Sequence, residues 1–138
     1  MKIRTVMTPC PYTIDFEAPL EKALERMKLY SIRHLPVVKD KDLIGVVSER
    51  DLELGLLLSK SVGFPPQVGS ICQADPFIVN QDEDLSNVVH EMADNKFSYA
   101  LVTDEEMKFV GIFTNVDACR VVYMLLEEQY SRERREKK

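Results

Sequence analysis

Apolar residues along this chain fall into two successive blocks that repeat the same pattern. Each block contains a stretch with the i, i+3, i+4, i+7 spacing that places side chains on one face of a helix. The stretches are Leu20, Ala23, Leu24 and Met27 in the first block, and Leu85, Val88, Val89 and Met92 in the second. We interpret both as core-facing helix surfaces and not as parts of a cofactor site.

Runs of β-forming residues before and after each helix predict three strands per block. The predicted strands are 12–14, 32–38 and 43–47 in the first block, and 77–79, 97–102 and 109–113 in the second. The last strand of each block is almost continuously apolar, which is typical of a strand buried on both faces. A second helix is expected to begin after it, at Ser48 and at Thr114. Each block therefore predicts the order β-α-β-β-α.

The two blocks superimpose at an offset of 65 residues, which becomes 66 after one inserted residue near Lys108. Apolar positions and special residues agree over about 45 positions, so we interpret the chain as an internal duplication. Gly63 and two prolines stop the helix that ends the first block. The predicted fold is α/β, with repeat 1 over 1–62, a linker over 63–67, repeat 2 over 68–124 and a charged helical extension over 125–138.

Composition limits the classes of partner that the chain is expected to bind. The 138 residues carry 18 Lys and Arg against 23 Asp and Glu, a net charge of −5, which gives no global attraction to nucleic acid or anionic lipid. No apolar run has the length of a signal peptide or a membrane span, so we expect a cytoplasmic protein. The basic tail 132–138 contains Glu133 and Glu136, which favours a solvated tail over a nucleic-acid-binding arm.

The three cysteines, Cys10, Cys72 and Cys119, are odd in number and widely spaced. This pattern does not indicate a disulfide framework or a zinc site, and we expect reduced thiols that fill small apolar gaps. The sequence contains no Gly-rich phosphate loop of either common pattern. It therefore predicts no metal and no catalytic cofactor.

A seven-residue motif occurs at the same place in both repeats, where the last strand meets the second helix. It is Gly-h-h-Ser/Thr-x-x-Asp, where h is apolar, and it runs from Gly45 to Asp51 and from Gly111 to Asp117. Free N–H groups at a helix N-terminus favour a phosphate, and a nearby carboxylate can accept hydrogen bonds from ribose hydroxyls. The alternative is a plain helix cap with an acidic first turn. Because the motif occurs twice in a duplicated unit, we favour ligand binding.

The segments 31–38 and 43–52 resemble a cystathionine-β-synthase (CBS) domain, and Val6-Met7-Thr8-Pro9 is similar to the opening segment of that family. The second repeat resembles the family more loosely, and the resemblance extends from residue 3 to about 122. It implies a stand-alone tandem CBS pair (a Bateman module), with pseudo-twofold-related repeats packed through their sheets and two clefts between them. The ligands of the family are AMP, ADP, ATP, S-adenosylmethionine or a dinucleotide such as NAD, and its pairs often form homodimers.

The resemblance also implies which residues line the two clefts. The first would contain Arg33, His34, Val46, Ser48, Arg50, Asp51, Cys72, Phe77, Phe97 and Ser98. The second would contain Met7, Tyr12, Ile32, Arg33, Ile112, Thr114, Val116 and Asp117. In each cleft the Ser or Thr and the Asp hold phosphate and ribose, and the apolar and aromatic residues wall the base. Arg33 and His34 would face the phosphate of the first cleft.

The second repeat departs from the family pattern, because Ser98-Tyr99-Ala100-Leu101 stands where the first has Arg33-His34-Leu35-Pro36. The second cleft therefore lacks a phosphate-facing cation pair of its own. Either Arg33 reaches across, or that cleft takes a less charged ligand, or it is empty. We expect phosphate in the first cleft before the second.

These observations predict a non-enzymatic sensor that binds an adenosine-containing small molecule and acts on a separate protein by changing its shape or association state. One alternative is a ligand-independent dimerisation module with degenerate clefts. Another is a small hydrolase or transferase with His34 as general base, although no nucleophile stands beside His34 in the motif. His90 lies on the polar side of a predicted helix and is expected at the surface.

Overall fold

Two compact units make up the part of the chain that the computed structural model describes, residues 1–10, 12–63 and 66–137. The first unit is drawn from Pro11–Pro76, and the second from Met1–Cys10 together with Phe77–Lys138. The middle of the predicted linker and the end of the predicted extension lie outside the described residues, which omit Pro11, Phe64, Pro65 and Lys138.

The helices and strands follow the predicted order in both units. In chain order the elements are a 3-10 helix (Ile3–Thr5), β1 (Thr8–Pro9), β2 (Ile14–Asp15), α1 (Leu20–Tyr30), β3 (His34–Lys39), β4 (Asp42–Ser48), α2 (Glu49–Val62), α3 (Val68–Ile71), β5 (Gln73–Ala74), β6 (Ile78–Asn80), α4 (Leu85–Asn95), β7 (Tyr99–Thr103), β8 (Phe109–Thr114) and α5 (Asn115–Glu136). The β-α-β-β-α order is confirmed as β2-α1-β3-β4-α2 and as β6-α4-β7-β8-α5. The α/β fold class is therefore confirmed.

Each unit contains one four-stranded mixed sheet. In the first unit the strand order is β2-β3-β4-β5, with β2 parallel to β3 and the other neighbours antiparallel. In the second unit the order is β1-β8-β7-β6, with β6 parallel to β7 and the other neighbours antiparallel. The helices α1 and α4 make the crossovers that these parallel pairs require.

Each sheet takes its outer antiparallel strand from the other sequence repeat. We call residues 3–9 and 68–74 the opening segments; β1 of one pairs with β8, and β5 of the other pairs with β4. Ile3 is fully buried in the core of the second unit and Val68 in that of the first. The compact units therefore differ from the predicted boundaries 1–62 and 68–124, because strand pairing and burial attach each opening segment to the opposite repeat.

The hydrophobic cores combine sheet residues with the predicted helix stripes. Their buried members include Ile14, Leu20, Ala23, Met27, Leu35, Val47 and Leu52 in the first unit, and Leu85, Val88, Met92, Ala100, Val102, Phe113 and Val121 in the second. Val89 departs from its predicted place, because it is 37% exposed. It lines an open apolar groove of about 700 Å³ between α4 and α5 instead.

Two glycines allow the opening segments to pair closely with the sheets. A Cβ atom placed on Gly45 would lie 2.4 Å from the carbonyl oxygen of Gln73, and one on Gly111 would lie 2.9 Å from that of Thr8. Both distances are shorter than a normal contact between carbon and oxygen, which is longer than about 3 Å. Since the obstructing atoms are backbone carbonyls within β5 and β1, they cannot move away without disturbing the sheet.

We predict that Gly45→Ala destabilises the protein, because the new methyl group would force β5 away from β4. The free energy of unfolding should fall by about 1–3 kcal/mol, the usual cost of overpacking, as measured by urea denaturation. Gly55→Ala is the matched control, because its methyl would meet only side-chain ends, Leu20 Cδ1 at 3.0 Å and Ile71 Cδ1 at 3.2 Å. Equal losses in the two variants would contradict the assignment of the clash to the β5 backbone.

Candidate functional site

The first candidate site lies where β4 ends and α2 begins. Ser48 is the N-cap residue of α2, and its extended backbone (φ −100°, ψ 158°) separates the strand from the helix. Its Oγ accepts a hydrogen bond from the Asp51 N–H at 3.1 Å. The cap therefore fixes Asp51 in the first helical turn, beside the N–H groups that a helix leaves unpaired at its start.

Strand pairing brings Arg33 and His34 to the same place. The left-handed backbone of Ser31 (φ 54°) ends α1 and turns the chain toward β3. His34 is the cross-strand partner of Ser48, and the Glu49 N–H donates to the Arg33 carbonyl at 2.9 Å. The result is an open cleft of about 480 Å³, lined by Arg33, His34, Ser48, Glu49, Arg50 and Glu53.

The surroundings of His34 favour the neutral form of its imidazole. Burial of the imidazole lowers the pKa of His34 from its usual value; the negative charge of Asp51 opposes the shift, and the positive charge of Arg33 adds to it. That Arg33 and His34 face a phosphate stays a prediction. The lowered pKa of His34 favours a neutral hydrogen-bonding group beside Arg33.

The carboxylate of Asp51 accepts no hydrogen bond from the described residues, although the side chain is half-buried. It lies at the helix start with the Ser48 hydroxyl on one side and the His34 imidazole within electrostatic range. Its oxygens are not among the buried unpartnered atoms of the described residues, so a ligand with hydroxyl or N–H donors can reach them.

The equivalent Asp117 in the second unit is saturated with donors. It is only 4% exposed, and its Oδ2 accepts from the Thr114 N–H at 2.9 Å and the Thr114 hydroxyl at 3.2 Å. Its Oδ1 accepts from the Thr8 hydroxyl at 2.8 Å and from Arg120 Nη1 at 3.3 Å. Together with the Thr114 cap, these bonds form a complete capping box. The alternative interpretation of the motif, a structural helix cap, thus describes Asp117 better than Asp51.

The other residues predicted for the first cleft are divided between the units. In the first unit Val46 is buried in β4, and the half-buried Cys72 lies beside Gly45, with its thiol donating to the Gly69 carbonyl at 3.6 Å. Burial raises the pKa of the Cys72 thiol, so it remains protonated. In the second unit the rings of Phe77 and Phe97 stack with centroids 5.0 Å apart, and the Ser98 carbonyl accepts from the Asn115 N–H.

The residues predicted for the second cleft are divided in the same way. Those in the second unit are Met7, Ile112, Thr114, Val116 and Asp117, and those in the first are Tyr12, Ile32 and Arg33. Val116 is 61% exposed, and the Tyr12 ring stacks on Tyr30 with centroids 3.6 Å apart.

Sequence reasoning missed three residues that shape these sites. Thr8 was matched only to a family segment, and its bond to Asp117 depends on a strand pairing across 109 residues that no local pattern signals. Glu49 and Glu53 line the first cleft because successive turns of α2 bring them to one face. Their i, i+4 spacing after Ser48 was the available signal.

Four further features concern metal binding, disulfides, membrane spans and the second histidine. Within the described residues, no three His, Cys, Asp or Glu side chains come close enough to hold a metal ion. None of the three cysteines forms a disulfide. The helices described here include none with the length and apolar character needed to cross a bilayer. His90 is exposed, as expected.

Comparison with known proteins relates the chain to one family. The CBS domain model matches residues 3–55 and 68–123. The chain is 29% identical to inosine-5'-monophosphate dehydrogenase of Thermoplasma acidophilum over 82% of its own length, but it spans only 22% of that enzyme.

Solved structures of similar fold include CBS pairs with bound ligands. CBSX2 in complex with AMP is 27% identical, with a TM-score of 0.71 over 90% of this chain and 97% of that one. The CBS pair of MJ0100, solved with 5'-methylthioadenosine and S-adenosyl-L-methionine, is 22% identical, with a TM-score of 0.76 over 88% of this chain and 95% of that one. Since the family model covers most of the sequence in two copies, the chain belongs to the CBS domain family and carries a tandem pair of these domains.

Proposed function

We propose that this chain is a regulatory module that binds an adenosine-containing ligand at the start of α2 and carries out no catalysis. The observation that carries the proposal is the Asp51 carboxylate, which is half-buried at a capped helix start and accepts no hydrogen bond from the described residues. A ribose offers two adjacent hydroxyl donors to such a carboxylate. The binding of AMP by the similar protein CBSX2 supports the same ligand class.

The phosphate end of the ligand is proposed to lie over the N-terminus of α2. The helix dipole and the unpaired N–H groups favour an anion there. The Ser48 Oγ accepts from the Asp51 N–H, which leaves its own O–H to donate to a phosphate. Arg33 and Arg50 are exposed at the rim of the cleft and supply positive charge.

The charges of the cleft favour a ligand with few phosphates. Arg33 and Arg50 are opposed by Glu49 and Glu53, all four of which line the same cleft, and Asp51 adds a further negative charge. A monophosphate can be placed against the arginines, whereas a triphosphate would also approach the glutamates. Among the ligands of the family, we therefore propose AMP, or S-adenosylmethionine with its positive charge, before ATP.

We propose that a wall of five residues encloses the base in the first cleft: Val46, Cys72, Phe77, Phe97 and Ser98. The residues proposed for the second cleft are Met7, Tyr12, Ile32, Arg33, Ile112, Thr114, Val116 and Asp117. The second cleft is proposed as the weaker one, because the Asp117 carboxylate already has its donors. Ligand binding would be transmitted to a separate protein partner through a change of shape or of homodimer assembly.

The ligand-independent alternative also has an observation in its favour. The saturated capping box at Asp117 is what a degenerate cleft would contain, and apolar side chains of α2 and α5 are exposed. A hydrolase based on His34 is less well supported. Ser48 lies opposite His34 in the sheet, but the only hydrogen bond that its side chain makes within the described residues is the one from the Asp51 N–H, which makes it a helix cap.

We predict that Asp51→Ala abolishes most of the binding of AMP, whereas Asp117→Ala does not. The loss of the ribose-binding carboxylate should weaken AMP at least about tenfold, measured by calorimetry, and should remove the thermal stabilisation by AMP. Asp117→Ala should instead lower the free energy of unfolding by about 2–4 kcal/mol, since it orphans buried donors. Unchanged AMP affinity in Asp51→Ala, or no stabilisation of the parent by AMP, ADP, ATP, NAD or S-adenosylmethionine, would contradict the proposal.

We predict that ATP binds more weakly than AMP, by about tenfold, because of the added like charges beside Glu49 and Glu53. The double variant Glu49→Gln/Glu53→Gln removes those charges with almost no change of side-chain size. It should reduce the difference between the affinities for AMP and ATP. Calorimetry with both nucleotides in the absence of magnesium measures the ratio. A preference for ATP in the parent chain would show that the glutamates do not set the selectivity.

We predict that the protein loses stability as the pH falls below about 6.5, the usual pKa of histidine. Because the pKa of His34 is lowered in the folded chain, the unfolded chain takes up the proton first, and stability is retained above this value and declines below it. Urea denaturation from pH 7.5 to 5.5 should show a smaller decline in His34→Gln. His90→Gln, which changes the exposed second histidine, is the comparison variant, and an equal change of the pH profile in both variants would contradict the assignment to His34.

A further inference from the structure

The strand β6 lies at the edge of the sheet in the second unit, with β7 on one side only. The Leu101 N–H donates to the Phe77 carbonyl at 2.8 Å, so the backbone of Phe77 faces β7. Because alternate residues of a strand direct their backbone groups to the same side, Ile78 and Asn80 direct theirs to the open edge. The Asn80 carbonyl accepts from the Glu83 N–H at 3.0 Å. Three groups remain for a further strand, the Ile78 N–H, the Ile78 carbonyl and the Asn80 N–H.

A groove of about 400 Å³ runs between this open edge and α4. Its apolar lining includes Ile78, Val79 and Val88, and its acidic lining is Glu83 and Glu91. Among the residues that the structure describes, no Lys or Arg lines the groove. A sheet edge beside a groove is the arrangement to which extended peptides bind by strand addition, with backbone hydrogen bonds for affinity and side-chain contacts for specificity.

The equivalent edge in the first unit, at β2, is capped by the chain itself. At the offset of 65 residues, Thr13 corresponds to Ile78 and Arg26 corresponds to Glu91. Arg26 Nη1 donates to the Thr13 carbonyl at 2.7 Å and so occupies an acceptor that an added strand would need. Glu91 cannot do the same for the Ile78 carbonyl, because an ionised carboxylate only accepts hydrogen bonds. The second repeat therefore lacks the cap that closes the edge of the first.

The two repeats also carry opposite charges beside these edges. The equivalent triplets are Ala18, Lys22 and Arg26 in the first repeat, and Glu83, Asn87 and Glu91 in the second. Glu83 accepts from the Asn87 side-chain amide at 2.8 Å, and neither Glu83 nor Glu91 forms an ion pair within the described part of the chain. His90 also lines the groove, but its Nε2 lies 3.2 Å from the Asp94 carboxylate. The groove is thus acidic and complementary to a Lys or Arg side chain.

We propose that the groove between β6 and α4 binds an extended, basic segment of a partner protein, which adds to β6 as a further strand. Its backbone would pair with the Ile78 N–H, the Ile78 carbonyl and the Asn80 N–H, and its Lys or Arg side chains would face Glu83 and Glu91. The proposal does not depend on nucleotide binding, because neither glutamate belongs to the two proposed clefts.

The first test is the selection of short peptides from a random phage-displayed library on the full chain. The selected peptides should carry Lys or Arg at alternate positions, and a synthetic copy should bind the parent in calorimetry. Glu91→Arg introduces the arginine of the first repeat and should weaken this peptide at least about tenfold, by capping the edge and repelling basic side chains.

Glu25→Arg is the matched control, since it makes the same charge change at an exposed position of α1, and it should leave the affinity for the peptide unchanged. Failure to select any peptide, selection of acidic peptides, or equal losses of affinity in the two variants overturns the proposal.

Strand addition is tested through the backbone. When the selected peptide is bound, amide hydrogen exchange at Ile78 and Asn80 should slow at least about tenfold, and by more than at Val79, whose N–H faces β7. N-methylation of alternate peptide amides should abolish binding for one set of amides and spare the other, because only every second residue faces β6. Unchanged exchange at Ile78 and Asn80, or equal tolerance of both methylated sets, overturns strand addition.

The β6 edge of a second copy is the competing occupant, and sedimentation without peptide tests it. If Glu91→Arg lowers the assembly state of the chain, the edge is occupied by a second copy and the proposal is overturned. Calorimetry with AMP separates this proposal from the nucleotide proposal. Glu91→Arg leaves Phe77 and the other proposed cleft residues unchanged, so it should bind AMP as the parent does. Binding of AMP without binding of any basic peptide overturns this proposal alone, and the reverse result overturns only the nucleotide proposal.

Discussion

The pairing of each opening segment with a sheet edge constrains most of this structure. A two-residue strand can lie against β4 or β8 only because Gly45 and Gly111 have no Cβ atom at the point of contact. The same pairing buries Ile3 and Val68 in cores built from the opposite repeat. Neither compact unit is therefore complete without a segment from the other half of the sequence. The two repeats exchange their opening segments, 3–9 and 68–74.

This exchange also determines how the two aspartates differ. In the second unit β1 places the Thr8 hydroxyl 2.8 Å from Asp117. The residue at the equivalent position of the other opening segment is Gln73, which donates no hydrogen bond to the Asp51 carboxylate within the described residues. A short hydroxyl side chain in one strand and a longer amide in the other are thus accompanied by a carboxylate that protein donors saturate in one repeat and by an accessible carboxylate in the other. The difference between the two carboxylates is thus associated with the opening segments, in addition to the difference between Arg33-His34 and Ser98-Tyr99 in the sequence.

The sequence allowed prediction of those features that depend on local periodicity. The order of elements, the buried faces of α1 and α4 and the helix caps at Ser48 and Thr114 follow from spacing and side-chain chemistry, and all are present. What local patterns could not predict was the attachment of residues 3–9 to the second unit, because strand pairing between distant segments leaves no periodic signal. The lowered pKa of His34 could not be predicted for a related reason. It depends on burial, which is a property of the folded unit and not of the residue type.

The two repeats differ in whether the aspartate in the first turn of the capped helix is already bound by protein donors. The carboxylate at the start of α5 already accepts from Thr8, Thr114 and Arg120, so a ribose would have to displace those donors to bind it. Such a start is well suited to anchoring a long helix, and α5 continues for 22 residues where α2 has 14. The start of α2 keeps its carboxylate accessible and carries a helix that ends at Gly63, in the left-handed conformation. An aspartate that is saturated by protein donors stabilises the start of a long helix. An aspartate that is left accessible can bind a ligand. One helix start cannot serve both purposes fully. A duplicated unit resolves this conflict, because each copy can be adapted to one of the two roles.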